Sequence, residues 1–330
     1  MRIACALFST TLLIPALAPA ADLDPAVLRT AAQKGLALLV ETSPTFIKKG
    51  GCNSCHNQML PAAAQAFARQ HGVATAPTIE QLPPEVSEVT TERYIEYSNL
   101  GANSVGYELF SLAAAGRPRD ARIESQIYSL KSVQQPEGYW RTPGNRPPLT
   151  FDHFTTTAFV IYALNAYTPE TQRADTEARI ARARSWLLEA KPQTTQERAF
   201  HLLGLVWSKA GRDALAKAAS GLQAMQRKDN GWSQLAAMPS DAYATGMALY
   251  ALYEGGVPVG SSTYQRGLRY LLDTQAADGT WHVKARALPV QPYFESGYPY
   301  GHDQWISAAG AAYATMAISA AVEPSRTAQR

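Results

Sequence analysis

Three segments of this chain repeat one design. Gln135-Pro136-Glu137-Gly138-Tyr139-Trp140 is the first, Gln226-Arg227-Lys228-Asp229-Asn230-Gly231-Trp232 the second, and Gln275-Ala276-Ala277-Asp278-Gly279-Thr280-Trp281 the third. Trp140 and Trp232 stand 92 residues apart, two units of 46, and Trp281 follows after another 49. A period of this length marks supersecondary units that cannot bury their apolar faces alone and must stack on one another. Each motif ends an apolar-periodic stretch and precedes an Ala-rich one. Residues 127–130, 179–189 and 268–272 read as ends of outer helices. Residues 60–69, 104–115, 157–164, 197–206, 246–252 and 308–318 read as inner helices, apolar on almost every side, as buried helices must be. Residues 24–41 are expected to form the first outer helix. The fold class expected is therefore all-α, with about six helical hairpins. Hydrophobic residues make up 46% and charged ones 17%, a composition that excludes a disordered polyelectrolyte.

The start of the chain has the layout of an export signal. Arg2 is the only charge before Asp22, an apolar run follows as far as Pro15, and Ala18-Pro19-Ala20 offers small residues for cleavage. That run is shorter than the roughly 20 residues of a membrane span, and no later segment reaches spanning length without charge. The expected organisation is a signal at 1–20, helices carrying a cysteine motif at 21–100, helical repeats at 101–322 and a tail at 323–330. The expected location is the periplasm of a bacterial cell. Thirty basic residues against twenty-seven acidic ones, with no Lys/Arg run longer than two, give no basic patch, so nucleic acid is not an expected partner.

Beyond Cys5, inside the signal, only Cys52 and Cys55 occur, in Gly51-Cys52-Asn53-Ser54-Cys55-His56. C-x-x-C-H is the attachment motif of c-type haem. Two thiols one turn apart can each add to a vinyl group, and the next side chain becomes the proximal imidazole of the iron. Cys52, Cys55 and His56 are thus expected to hold one covalent haem c. Three alternatives stay open: a Cys52–Cys55 disulfide in a haem-free binding or scaffold module, a zinc site completed by a distant histidine, and unmodified thiols.

The repeats resemble the QW motifs (Gln…Gly-x-Trp) of the squalene cyclase and protein prenyltransferase superfamily, over about residues 100–320. The resemblance implies an α/α toroid, in which inner helices ring a centre and outer helices wrap them, and it gives Trp140, Trp232 and Trp281 a structural role. It does not carry over the activities. The stretch matching the acid motif D-x-D-D-T-A of the class II cyclases is Asp241-Ala242-Tyr243-Ala244-Thr245-Gly246. The proton-donating position there holds Tyr243, whose phenol has a pKa near 10. Asp241 reads as a helix N-cap. No D-D-x-x-D pattern occurs, and no cysteine beyond residue 55 could serve a prenyltransferase zinc. An enzyme acting on an apolar or isoprenoid substrate in the toroid remains the alternative function.

In such a ring the first and last hairpins are neighbours. The cysteine motif is therefore expected beside the long loop from His282 to Asp303, with Arg286, Glu295 and Asp303, together with Asp241 and Tyr243, on the cavity rim. The whole pattern is similar to exported, haem-bearing, squalene-cyclase-like proteins of bacteria. The similarity lies in Gly-Cys-x-Ser-Cys-His-x-Gln near the start and Pro-Tyr-Phe-Glu-Ser-Gly…Asp-Gln-Trp-Ile-Ser near the end. It implies a periplasmic haem protein for electron transfer or for redox or ligand binding, with a redox partner left unnamed and a small apolar ligand as an option. His302 is the preferred sixth ligand, with His282, His153, water or a tyrosine as alternatives. His201 reads as a core residue, and His71 as lying on the wrong side.

Overall fold

Inner helices that are apolar all round have no face to offer water, so they can only pack on one another. The computed structural model, which describes residues 23–50, 53–75, 77–79, 101–142, 144, 146–289 and 291–322, shows how they do so. The helices in chain order are α1 (Pro25–Gly50), α2 (Leu60–Gln70), α3 (Ala102–Ala114), α4 (Ala121–Ser132), α5 (His153–Tyr167), α6 (Arg173–Glu189), α7 (Thr195–Trp207), α8 (Arg212–Gln223), α9 (Ala242–Glu254), α10 (Ser262–Thr274) and α11 (Gln304–Ser319). One π-helical turn (Cys55–Met59) leads into α2. Among the described residues there is no strand, only three isolated bridges.

Helices α2, α3, α5, α7, α9 and α11 each pack on the next, and α11 packs back on α2. This closed inner ring is wrapped from outside by α1, α4, α6, α8 and α10. The architecture is an α/α toroid. Its first outer helix is longer than expected: α1 runs to Gly50 through Pro44, with Ser43 before the proline and Phe46 after it both buried. The expected signal and tail, and most of residues 76–100, lie outside the described residues.

The repeat motif is a joint with fixed bonding. Each tryptophan is buried and donates its indole N–H to a carbonyl ten residues upstream: Trp140 to Leu130 at 2.6 Å, Trp232 to Leu222 and Trp281 to Leu271 at 2.9 Å. Six residues before each tryptophan a glutamine amide bonds its own loop and the next outer helix. Gln134 donates to Gly138 and Arg179, Gln226 to Asn230 and Thr263, and Gln275 to Gly279 and Ala31. In the first repeat this residue is Gln134; the expected Gln135 bonds only the carbonyl of Val133 through its side chain. Gly138 and Gly279 turn through positive φ (107° and 90°), and a Cβ at either would stand within 2.5 Å of a carbonyl of the next outer helix.

The ring is filled by aromatic side chains. Tyr107 meets Phe159 at 4.6 Å between ring centroids, Phe159 meets Phe200 at 4.9 Å, and Tyr243 meets Tyr313 at 5.4 Å. All five are buried, and the ring centre described by these residues is a packed core.

Candidate functional site at the mouth of the ring

The π turn is stitched in place by its own polar residues. Ser54 caps it, accepting from the N–H of Asn57 at 3.1 Å, while Gln58 Oε1 accepts from both the N–H and the hydroxyl of Ser54. Gln58 then donates to the carbonyl of Ser43 at 2.8 Å, which ties the turn to α1. Single π turns inside helices recur at functional sites because the extra residue re-aims side chains. The late loop uses the same device. Gln304 Oε1 accepts from the N–H and hydroxyl of Ser296, and its amide donates to the carbonyl of Phe294 at 2.7 Å.

These two stitches bring the two ends of the chain to one cavity of about 350 Å³, lined among others by Phe46, His56, Arg146, Phe294, His302 and Trp305. This lies in the lower part of the usual range for small-molecule sites, about 300–1,000 Å³. His56 is 1% exposed and is met edge-on by Phe46 at 5.2 Å and Trp305 at 5.9 Å. Its Nδ1 lies 2.6 Å from the side-chain Oδ1 of Asn57, which can only accept, so Nδ1 carries the proton and Nε2 keeps a lone pair. Among the described residues Nε2 has no hydrogen-bond partner. Burial, then the Arg146 guanidinium, push the imidazole down to about 3, against the pull of the Asn57 bond. The guanidinium itself lies 4.3 Å above the Trp305 ring. Cys55 is half-buried. Its thiol lies deep enough that burial raises it to about 11, partly opposed by Arg146. Cys52 lies outside the described residues.

The remaining site candidates divide. His302 lines the cavity, exposed, with its ring 4.4 Å from that of Tyr293. Asp303 lines it too, accepting from His282 at 2.8 Å and from the N–H of Ala285 at 2.8 Å. Glu295, placed on the rim from sequence, is not among the lining residues; it is exposed and takes a bond from the Tyr293 hydroxyl. Tyr243 is not on the rim either: it is wholly buried and donates to Gln196 Oε1 at 2.8 Å, and burial drives its phenol far above the usual value. Asp241 is the N-cap of α9, accepting from the N–H of Ala244 at 2.8 Å. Arg286 donates to Gln234, which donates in turn to Asp241. Thr245 anchors the backbone of Trp232 at 2.9 Å. His153 accepts from the N–H of Thr142 and stacks on Tyr139. His201 is half-buried against a surface groove, which corrects its reading as a core residue. Sequence reasoning missed Arg146, Asn57 and Phe46. Ser54, Gln58, Phe294, Ser296, Gln304 and Trp305 were visible in the two quoted stretches, with no role attached to them.

A second buried carboxylate, Asp152, caps α5. It accepts from the N–H and hydroxyl of Thr155 at 2.8 Å each and from Gln196 at 2.6 Å. Burial nevertheless raises it to about 6. The folded state therefore binds this proton more tightly than the unfolded chain, where the pKa is about 3.9. That contribution to stability is present below about pH 4 and is lost as pH rises through 6. Urea unfolding of the wild type and of Asp152→Asn at pH 4 and pH 7 should show the wild type losing about 2 kcal/mol relative to the variant over that interval. Any constant cost of an amide facing Gln196 cancels in the difference. A pH-independent gap would contradict the assignment.

No protein-family model and no curated protein matches the chain. Solved structures do. A type II terpene cyclase, MstE from Scytonema, in complex with merosterolic acid A, superposes with a TM-score of 0.56 at 14% identity, covering 90% of this chain and 98% of that one. MstE in complex with geranylgeranyl dihydroxybenzoate gives 0.56 at 12% identity, covering 90% and 98%. A protein from Actinoplanes gives 0.56 at 15%, covering 90% and 99%. The likeness is one of fold. It bears out an α/α toroid like that of these structures, over 90% of this chain. Among the described residues no helix is long and apolar enough to cross a membrane.

Proposed function

We propose that this chain is an exported c-type haem protein, built on a toroid and working in electron transfer or in redox or ligand binding. The observation that carries the reading is His56. It is a buried imidazole that ends a C-x-x-C-H motif, its Nδ1 is held by Asn57, and its Nε2 is left with a lone pair beside an aromatic-lined cavity. Iron-ligating histidines are oriented in this way by a hydrogen bond from the second ring nitrogen. Cys52 and Cys55 would carry the thioethers and His56 would be the proximal ligand. His302, which lines the same cavity, would be the sixth ligand. Arg146 would supply a cation for the carboxylates that a porphyrin carries. A bound haem would supply one-electron redox chemistry, and a small ligand would bind it by displacing His302.

Expression with the haem-attachment machinery tests this directly. A red protein whose colour survives denaturation, and whose mass exceeds that of the chain by one porphyrin, is expected. Cys55→Ala should weaken attachment, and His302→Ala should shift the visible bands. A colourless protein two hydrogens lighter would instead be the disulfide-bonded, haem-free module.

The solved structures lend weight to a second reading, an enzyme or binder for an apolar, isoprenoid-like molecule. One of them holds geranylgeranyl dihydroxybenzoate as substrate. Against it stand the buried Tyr243 at the acid position and the aromatic filling of the ring. Incubation with squalene-type substrates should give no cyclised product.

A further inference from the structure

We infer that a groove between α6 and α8 binds a small amphipathic monocarboxylate through Arg198. The groove holds about 730 Å³, about twice the volume beside His56. Its floor is one face of α7, where Arg198, His201 and Leu205 recur at helical spacing. Its walls are the loop after α6, with Leu188 at its edge, and the small side of α8, Ala214, Ala218 and Gly221. The other outer helices fill this interface with bulk. Helix α4 buries Ile123, Ile127 and Leu130, and α10 buries Tyr264, Leu268 and Leu271, whereas α8 buries only Ala219 and Leu222.

The floor carries a cation without a counter-group. The Arg198 guanidinium makes no hydrogen bond or ion pair to a described residue, and its Nε is shut off from solvent. It lies against Gly221, where a Cβ would stand 3.1 Å from Nη1. The Nη groups are not sealed off as Nε is, and an anion in the groove would give the guanidinium the ion pair it lacks. Lys191 and Lys217 line the groove as well, against Asp213 as its one carboxylate. His201 adds no charge: burial keeps it neutral, with Nε2 bonded to the carbonyl of Leu187 at 2.8 Å.

Charge selects an anion, and the planar fork of Arg198 matches a carboxylate. The apolar walls select the rest of the molecule. From Ala214 to Gly221 the helix advances about 10 Å, the length of a medium alkyl chain, which would cover Ala218 and the 55%-exposed Leu188.

The test is calorimetric titration of the full chain with decanoate, with decanol and decyltrimethylammonium as controls. One saturable decanoate site is expected, with both controls much weaker. Arg198→Gln should weaken decanoate by about tenfold or more. Ala218→Leu, which fills the groove on a partly exposed helix face, should weaken it comparably while leaving thermal unfolding in place. Decanoate binding unchanged in both variants, equal binding of the cationic amphiphile, or no saturable binding would each overturn the proposal. If Arg198→Gln fails to fold, the Ala218→Leu result decides. None of these outcomes depends on haem, since the groove lies on α6–α8 and away from His56.

Discussion

Arg122→Met is expected to lower the unfolding free energy at pH 7 by about 3–5 kcal/mol, because it strands a carboxylate inside the protein. Arg122 on α4 meets Glu108 on α3 at 2.7 Å, and the two side chains are only 10% and 6% exposed. Gln126 gives Glu108 a second bond at 2.9 Å. Burial pushes Glu108 up, and the Arg122 charge is the main force pulling it back. With the guanidinium gone, the carboxyl holds its proton more tightly when folded than when unfolded. Stability in the variant is then greatest below the unfolded value, about 4.3, and is lost as pH rises through the higher folded value. The gap between wild type and variant should therefore narrow from pH 7 to pH 5 in urea unfolding. The double variant Glu108→Gln/Arg122→Met should regain most of the loss at pH 7, since a neutral amide needs no counter-charge. A single variant within about 1 kcal/mol of wild type at pH 7 would mean that the pair is solvated like an exposed one.

The ring was legible because its logic is periodic. Each tryptophan follows a helix end and precedes a helix with no polar face, and only stacking satisfies such a pattern. The same logic placed the cysteine motif beside the last loop, since a closed ring makes neighbours of its ends. Where the reading failed, a local signal was ambiguous or was overridden. Gln134 and Gln135 are both amides before a glycine, and only the six-residue spacing shared with Gln226 and Gln275 identifies the bonding one. The first outer helix overruns its expected end at residue 41, because burial of Ser43 and Phe46 on either side of Pro44 outweighs the N–H that the proline lacks. Tyr243 opens an inner helix, which sequence equates with the rim, but its hydroxyl reaches sideways to Gln196. Arg146 sits in a connection with no period, so nothing in the pattern marks it as a neighbour of His56. The irregular segments hold most of what sequence could not assign, because there side-chain placement follows individual hydrogen bonds rather than a repeat.

The closing joint should be the most sensitive of the three. Trp281→Ala is expected to destabilise by about 4–5 kcal/mol, the upper part of the range for burying and then deleting a large aromatic. The indole loses its bond to the Leu271 carbonyl and leaves a cavity next to Gly35, whose position faces the Trp281 ring so closely that a Cβ there would meet it at 3.0 Å. Trp140 and Trp232 join hairpins that follow each other in the chain, and their neighbours stay tethered when packing is lost. Trp281 and Gln275 join residues more than 240 positions apart, with Gln275 reaching the Ala31 carbonyl and Leu23 bonding Gln265 nearby. Loss of packing there releases α1, and with it the Ser43 carbonyl that holds Gln58 and the π turn beneath His56. Amide hydrogen exchange separates this from a uniform loss. Trp281→Ala should deprotect α1 and the 55–59 turn first, whereas Trp140→Ala should deprotect α4 and α5 and leave α1 guarded. Equal deprotection in the two variants would show that the ring unfolds as one unit and that its closure has no separate weight. Trp281→Phe, which keeps most of the apolar contact and drops the indole bond, should cost about 1–2 kcal/mol and leave the order of exchange as in the wild type.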